Sequence, residues 1–314
     1  MSGSRTWISV FILALAVVAA GSAKPVNPRA VEFTKRKDAV DVLVGGKLFT
    51  RYVFSGAAKP YLYPIIGPTG QPVTRHYPMK QVPGESGDHP HQKSLWYTFG
   101  SVNGIDFWAE TPKSGKIIHR KFDKLKSTPG YGWIRETNDW VGPDGVKVCE
   151  DTRDLRIYSS EVMDFSITVR ATEGPLTFGD TKEGMFAVRV ADSMTVDKGK
   201  GHIQLSGGET DAKAWGKRAD WCDYYGPVDG QTVGIAILEH PTSFRHPTYW
   251  HVRTYGLMGA NPFGIKEFSG DKTKDGAYTV PKGGSVTFKY RVIIHKGDTL
   301  QADIAGKYAA YVKQ

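Results

Sequence analysis

Cysteine is nearly absent: the 314 residues include only Cys149 and Cys222. Two thiols cannot staple a disulfide-rich scaffold, and their spacing matches no metal-binding motif. Export would permit one bridge between them, but two separately buried thiols are the simpler expectation. Long apolar runs are also missing beyond the first twenty residues. With a mean hydropathy of −0.36, this excludes a polytopic membrane protein, because a spanning helix needs about 20 apolar residues in succession. No P-loop, GxSxG, HExxH or dinucleotide fingerprint occurs, so the usual signatures of several large enzyme classes are absent. Repeats, low-complexity tracts and linkers are not evident either. The charge excess is small, with 41 Lys+Arg against 32 Asp+Glu and a net charge of +9. It is also dispersed: Lys35-Arg36-Lys37 and Lys121 to Lys126 interleave with apolar or acidic residues. Solvated strand faces account for such runs, and no nucleic-acid partner is expected. An acidic polysaccharide is compatible with the charge without being required by it.

The N-terminus stands apart. Arg5 precedes an almost wholly apolar run from Trp7 to Ala20, and Gly21-Ser22-Ala23 supplies small residues for cleavage. Residues 1–23 are expected to be a secretory signal peptide. The run is too short for the ~20 residues of a spanning helix. Cleavage would remove only Arg5 among the charged residues and leave +8. Residues 24–314 would then form one secreted or periplasmic domain with no membrane span.

Turn formers are abundant, with 36 Gly and 18 Pro. They punctuate segments whose apolar residues recur with a period of two. Leu155 and Ile157, then Phe165, Ile167 and Val169, then Val286 through Ile294 alternate with polar neighbours. Strict alternation indicates antiparallel strands with one wet face. Further strands are expected over Val31–Lys37, Asp41–Val44, Phe49–Phe54, Leu95–Gly100, Ile117–Phe122, Gly184–Val190 and Val233–Glu239. One helix is expected at the C-terminus, capped by Asp298 or Thr299, with Leu300, Ile304, Tyr308 and Tyr311 on one stripe. The fold class that follows is all-β, a large antiparallel sandwich with a short C-terminal helix.

Two stretches, Tyr61 to Trp108 and Gly179 to Gly264, break the strand pattern while carrying reactive side chains, the signature of functional loops. The first holds Glu85-Ser86-Gly87-Asp88-His89-Pro90-His91-Gln92-Lys93. In an extended segment His89 and His91 would face one way, as an acid/base pair or shared metal ligands require. Asp88 or Glu85 could orient an imidazole through its second nitrogen. Arg75 lies just upstream as a candidate substrate contact. The second stretch begins with Gly179-Asp180-Thr181-Lys182-Glu183-Gly184, where a carboxylate beside an ammonium could serve as acid or base. It continues through Trp215 to Trp250-His251-Val252-Arg253, and His251 and Arg253 would share one face of a strand. Each tryptophan by itself is better explained as core. Together, aromatic rings beside arginine, histidine and carboxylates suggest a sugar cleft, because flat rings stack on pyranose faces while charged groups bind hydroxyls.

At these residues the chain resembles a family of exported bacterial proteins labelled methane oxygenase PmoA. The matching stretches are Tyr61-Leu62-Tyr63-Pro64, Asp88-His89-Pro90-His91, Asn103-Gly104-Ile105-Asp106-Phe107-Trp108, Gly179 to Gly184 and Trp250-His251-Val252-Arg253. They run through nearly all of the mature chain. The sequence departs from these relatives at Gln92-Lys93, where they often carry His-Arg. The resemblance implies a sandwich akin to that of galactose mutarotases, in proteins that accompany sugar-degrading enzymes. The oxygenase label fits poorly, because the subunit of that name spans a membrane several times and this chain has no such segments.

Three functional readings stay open. In the first, an exported carbohydrate-active enzyme cleaves or isomerises a sugar or a modified, for example oxidised, glycoside. His89 and His251 are its acid/base residues and Glu183 or Asp180 the partner carboxylate. Arg75, Lys182 and Arg253 hold substrate oxygens, and Trp215 or Trp250 stacks on a ring. In the second, His89, His91, His251 and Glu183 bind a divalent metal in a hydrolase or lyase. In the third, the protein binds carbohydrate or serves the cell envelope without catalysis. The partner in the first two is a small-molecule or oligosaccharide substrate.

Overall fold

The computed structural model describes residue 3 and residues 30–128 and 130–314. Apart from Gly3, the expected signal peptide lies outside the described residues. In chain order, β1 (Val31–Lys35), β2 (Ala39–Val44), β3 (Lys47–Val53), β4 (Tyr61–Ile65) and β5 (Leu95–Phe99) open a first sheet. β6 (Lys116–Ser127), β7 (Tyr131–Val141), β8 (Lys147–Tyr158) and β9 (Val162–Arg170) form a meander in a second. After β10 (Leu176–Phe178), β11 (Gly184–Arg189) returns to the first sheet, while β12 (His202–Leu205), β13 (Trp221–Val228) and β14 (Gln231–Glu239) extend the second. β15 (Tyr249–Val252) and β16 (Leu257–Asn261) complete the first sheet, and the short helix α1 (Ile265–Ser269) follows. β17 (Tyr278–Val280) pairs with β10, β18 (Ser285–Lys296) enters the second sheet, and α2 (Ile304–Tyr311) ends the chain.

Each sheet has eight antiparallel strands. Their orders are β1-β2-β3-β4-β5-β11-β16-β15 and β12-β13-β14-β18-β9-β8-β7-β6. The expected all-β sandwich with a short C-terminal helix is what the chain forms. Inward residues of both sheets meet in one core: Phe186 stacks on Tyr290 at 4.6 Å, and Phe165 packs on Phe186 at 4.8 Å. Burying each such side chain contributes about 1.5–3 kcal/mol. Cys149 and Cys222 are separate buried thiols, not a bridge. Among the described residues no helix is long and apolar enough to cross a membrane.

Two expectations need correction. The stretch from Gly179 to Gly264 is not one long loop: it holds the six strands β11 to β16. β13, β14 and β16 show no alternation because both their faces are covered. The outer face of β13 and β14 is sealed by α2, where Trp221, Ala236, Leu238, Ile304 and Tyr311 form a second small core. The helix itself starts later than expected. Asp303 caps it, its side chain accepting from the Gly306 amide at 3.1 Å, and Leu300 stands 87% exposed ahead of it.

Candidate functional site

The reactive side chains gather on the outer face of the first sheet. Cross-strand pairing aligns Tyr61, Trp96, Ala187, Gly259 and His251 in one row over five strands. The two smallest residues sit between a tryptophan and a histidine, so the sheet surface dips there. The next row carries Arg189 paired with Leu257, with Arg253 just beyond, its amide donating to the Leu257 carbonyl. Trp96, Trp108, Ala187 and Leu257 make a small apolar cluster on this face, flanked by Tyr61 and Tyr255.

Over this face lies the segment from Arg75 to Lys93. His89 takes a left-handed backbone conformation, φ 46°, which turns its ring onto the face of Tyr255, with centroids 5.1 Å apart and planes 8° apart. Its Nδ1–H donates to Asp88 Oδ2 at 2.7 Å. An ionised carboxylate only accepts, so Nδ1 carries a proton, and in the neutral imidazole Nε2 then holds the lone pair. Nε2 makes no hydrogen bond among the described residues, and the side chain is 41% exposed. The other Asp88 oxygen accepts from Arg75 and, at 2.9 Å, from Arg189. Burial raises the Asp88 pKa, but Arg189, His89 and Arg75 outweigh it and hold the carboxyl below its usual range.

Arg75 is wholly buried. It also donates to the backbone carbonyls of Ser86 and His89, at 3.2 and 3.1 Å. This corrects its expected role: it shapes the loop that carries His89 and cannot touch substrate. Glu85 is likewise structural, its carboxylate accepting from the amides of His76 and Tyr77. Gln92, at the departure from the resembled family, accepts from Arg189 at 2.6 Å and reaches the Tyr255 hydroxyl. Beneath the loop, buried Lys59 donates to the His91 carbonyl at 3.0 Å and shares Glu110 with Lys93. Burial lowers Lys59 to about 8. Burial, with the charges of Lys59 and His89, lowers His91 to about 4, so that imidazole is neutral near pH 7.

The other two clusters border the same face. His251 is 3% exposed and pushed down to about 3, by burial first and then by the charges of Arg253 and Lys182. Arg253 lies 5.9 Å from the rings of both Tyr255 and Trp215. Trp215 packs edge-on against Phe268 of α1 at 5.6 Å, and Phe268 lies 6.0 Å from His251. Lys182 pairs with Glu183 at 3.2 Å and with Glu267 of α1 at 2.9 Å. His89, Tyr255, Arg253, Trp215, Phe268 and His251 are thus linked contact by contact, and Lys182-Glu183 joins them through α1.

Three expected roles do not survive this placement. Trp250 is fully buried in the main core, its Nε1 bonded to the Ala219 carbonyl, and cannot stack on a sugar. The Asp180 carboxylate is spent on the backbone amides of Lys266 and Gly276, anchoring α1 and the loop behind it. For the metal set, no three His, Cys, Asp or Glu side chains converge among the described residues. His89, His91, His251 and Glu183 therefore do not form a ready ligand cage.

What remains is rich in unpaired donors. Trp96 Nε1, Trp108 Nε1, Trp215 Nε1 and Arg189 Nε, together with His251 Nδ1, are buried without a partner among the described residues. Buried polar groups usually find partners, so such a concentration fits an oxygen-rich ligand. A cavity of about 300 Å³ adjoins the dyad, lined by Asp88, Arg189, Thr195, Lys198 and Tyr255 among others. Arg189 and Tyr255 were not singled out in the sequence. The signal for Arg189 was there: a charged residue inside the apolar run Gly184–Val190 must find a counter-charge. Tyr255 carried no such mark.

The model of a family of unknown function, DUF6807, matches residues 39–309. The methane oxygenase label of the resembled family is not part of that description. No curated protein sequence matches the chain. Among solved structures, the α-galactosidase from Lactobacillus brevis is 9% identical, with TM-score 0.44, over 88% of this chain and 40% of that one. The heparan sulfate lyase from Pedobacter heparinus is 9% identical, with TM-score 0.40, over 87% and 36%. The chain thus spans about two-fifths of the length of these two enzymes or less. Galactose 1-epimerase from Lactobacillus acidophilus NCFM is 6% identical, with TM-score 0.40, over 86% of this chain and all of that one.

Proposed function

The chain belongs to the DUF6807 family of unknown function, and from that premise we propose that it is an exported carbohydrate-active enzyme in which the Asp88–His89 dyad moves a proton on a sugar or oxidised glycoside. One observation carries the reading. A half-exposed imidazole has one nitrogen fixed by a carboxylate, its ring held flat on Tyr255 and its Nε2 unengaged. That is the arrangement of a general base, or of a general acid once protonated. Two buried guanidiniums hold the carboxylate in place, so little reorganisation is needed when the imidazole gains charge. Arg253 and Trp215 stand on the same face as a hydroxyl-binding cation and a stacking ring. Lys182 and Glu183 supply a further donor and a carboxylate at its border. His251, buried and neutral, acts through a hydrogen bond to substrate oxygen and not as a cation.

The test is a screen of the mature protein against glycosides and oxidised glycosides with mass-spectrometric readout, run beside H89A. Turnover that disappears in H89A supports the reading. Turnover unchanged in H89A, or binding with no turnover across the panel, rejects it. The second of these outcomes would favour a carbohydrate-binding protein.

A further inference from the structure

A second open groove lies away from this site. It lies on the outer face of the second sheet, has a volume of about 490 Å³, and holds none of the residues placed at the dyad site. Antiparallel register arranges its floor in rows. Thr152 and Thr168 of the floor align across β8 and β9, in a row that Thr137 of β7 and Thr287 of β18 continue beyond it. Beside them run Arg135, Asp154, Ser166 and Lys289. Further along β9 stands Arg170, and α2 forms one rim with Tyr311.

The groove is unbalanced in charge. Its two carboxylates are engaged: Asp164 takes a bidentate pair from Arg291, and Asp154 accepts from Trp133 Nε1 with Arg156 3.7 Å away. The nearby Asp139 and Glu150 are held by Arg120 and Lys147. Among the described residues Arg135 and Arg170 make no ion pair, and Lys289 bonds only the neutral Thr242 hydroxyl. Arg135 and Lys289 end one row three strands apart, about 14 Å, and Arg170 lies about 13 Å along β9 from that row. One small anion cannot span three cations so placed. A chain with repeated negative charges can, and between the cations it would meet the Thr152, Ser166 and Thr168 hydroxyls, the already engaged Asp154 and the rings of Tyr158 and Tyr311.

We propose that this groove is a second, non-catalytic site that binds a uronate-bearing oligosaccharide. Arg135 and Arg170 take carboxylates through their planar guanidinium forks, Lys289 supplies a point charge, and the threonine and serine hydroxyls bond sugar hydroxyls. The site is separate from the dyad and does not depend on the function proposed for it.

The test is titration of the full mature protein with a hexagalacturonate, a neutral maltohexaose, a sulfated hexasaccharide and single-stranded DNA of matched charge. The hexagalacturonate is expected to bind best, and more weakly as salt rises. R135A, R170A and K289A should each weaken it by about three- to fivefold, and the triple variant by more than tenfold, as exposed charge contacts of this kind do. H89A should bind it like the wild type. Equal binding of maltohexaose overturns the proposal, as does an unchanged triple variant of normal circular dichroism. Tighter binding of the sulfated sugar or of the DNA overturns the uronate assignment.

Discussion

Replacing Asp88 by asparagine probes the centre of the site. The substitution is nearly isosteric but removes the one anion shared by Arg75, Arg189 and His89. Both arginines are buried, at 0% and 1% side-chain exposure. Breaking a fully buried ion pair from one side costs about 3–5 kcal/mol. Asp88 itself is 41% exposed, so water reaches the site and screens what is left, and a loss of roughly 1–3 kcal/mol is expected. The assay is urea unfolding, read as a lower midpoint at unchanged slope. H89A, which removes only the exposed partner, should lose less than about 1 kcal/mol. The two differ further in pH dependence. The folded-state pKa of Asp88 lies below its ordinary value, so the unfolded chain holds that proton more tightly. The stabilisation is then complete above about pH 5 and fades as pH falls below about 4. Wild type and D88N should therefore converge in acid. A D88N variant as stable as wild type at pH 7, or less stable than H89A by no measurable margin, would show that the arginines do not depend on Asp88.

His251 gives a pH dependence of a different origin. Its folded-state pKa is pushed down to about 3, so the unfolded state takes up its proton first and stability falls as pH drops from about 6.5 towards 3, by at most ~1.4 kcal/mol per pH unit. H251Q should flatten that part of the stability-against-pH curve, and an unaltered curve would contradict the burial argument. W250A should cost about 3–5 kcal/mol through a core cavity, whereas W215A should lower turnover far more than stability; the unfolding midpoints of the two variants decide this. Both thiols are buried, so a thiol reagent should label none in the native protein within minutes and both in denaturant.

Strands with one wet face were easily read from the sequence. β8, β9 and β18 alternate cleanly because their outer residues meet solvent, and each lies within a few residues of its expected place. β16 and β13 escaped because a loop cluster on one and a helix on the other hide the second face, which removes the period-two signal. The site was legible in part for the same reason. His89, Asp88 and His91 sit in a segment too charged for a mere turn, and His251 lies on a real strand with Arg253 just past its end. The role of Arg75 was not, since a buried arginine and a substrate-binding arginine look alike until the partner is seen. Trp250 lies on β15 and is buried in the main core, whereas Trp215 lies in the connection between β12 and β13 and packs against α1. No local pattern in the sequence separates them.

The central claim is that His89, oriented by Asp88, carries the proton in a sugar reaction. The most direct measurement is kcat/KM for wild type and H89A on whichever glycoside or oxidised glycoside the mature protein turns over, with the unfolding midpoint of both recorded. The account predicts a loss of about 10²- to 10⁴-fold in H89A, the usual weight of general acid–base catalysis, with the midpoint nearly unchanged. Equal kcat/KM in the two proteins would contradict it.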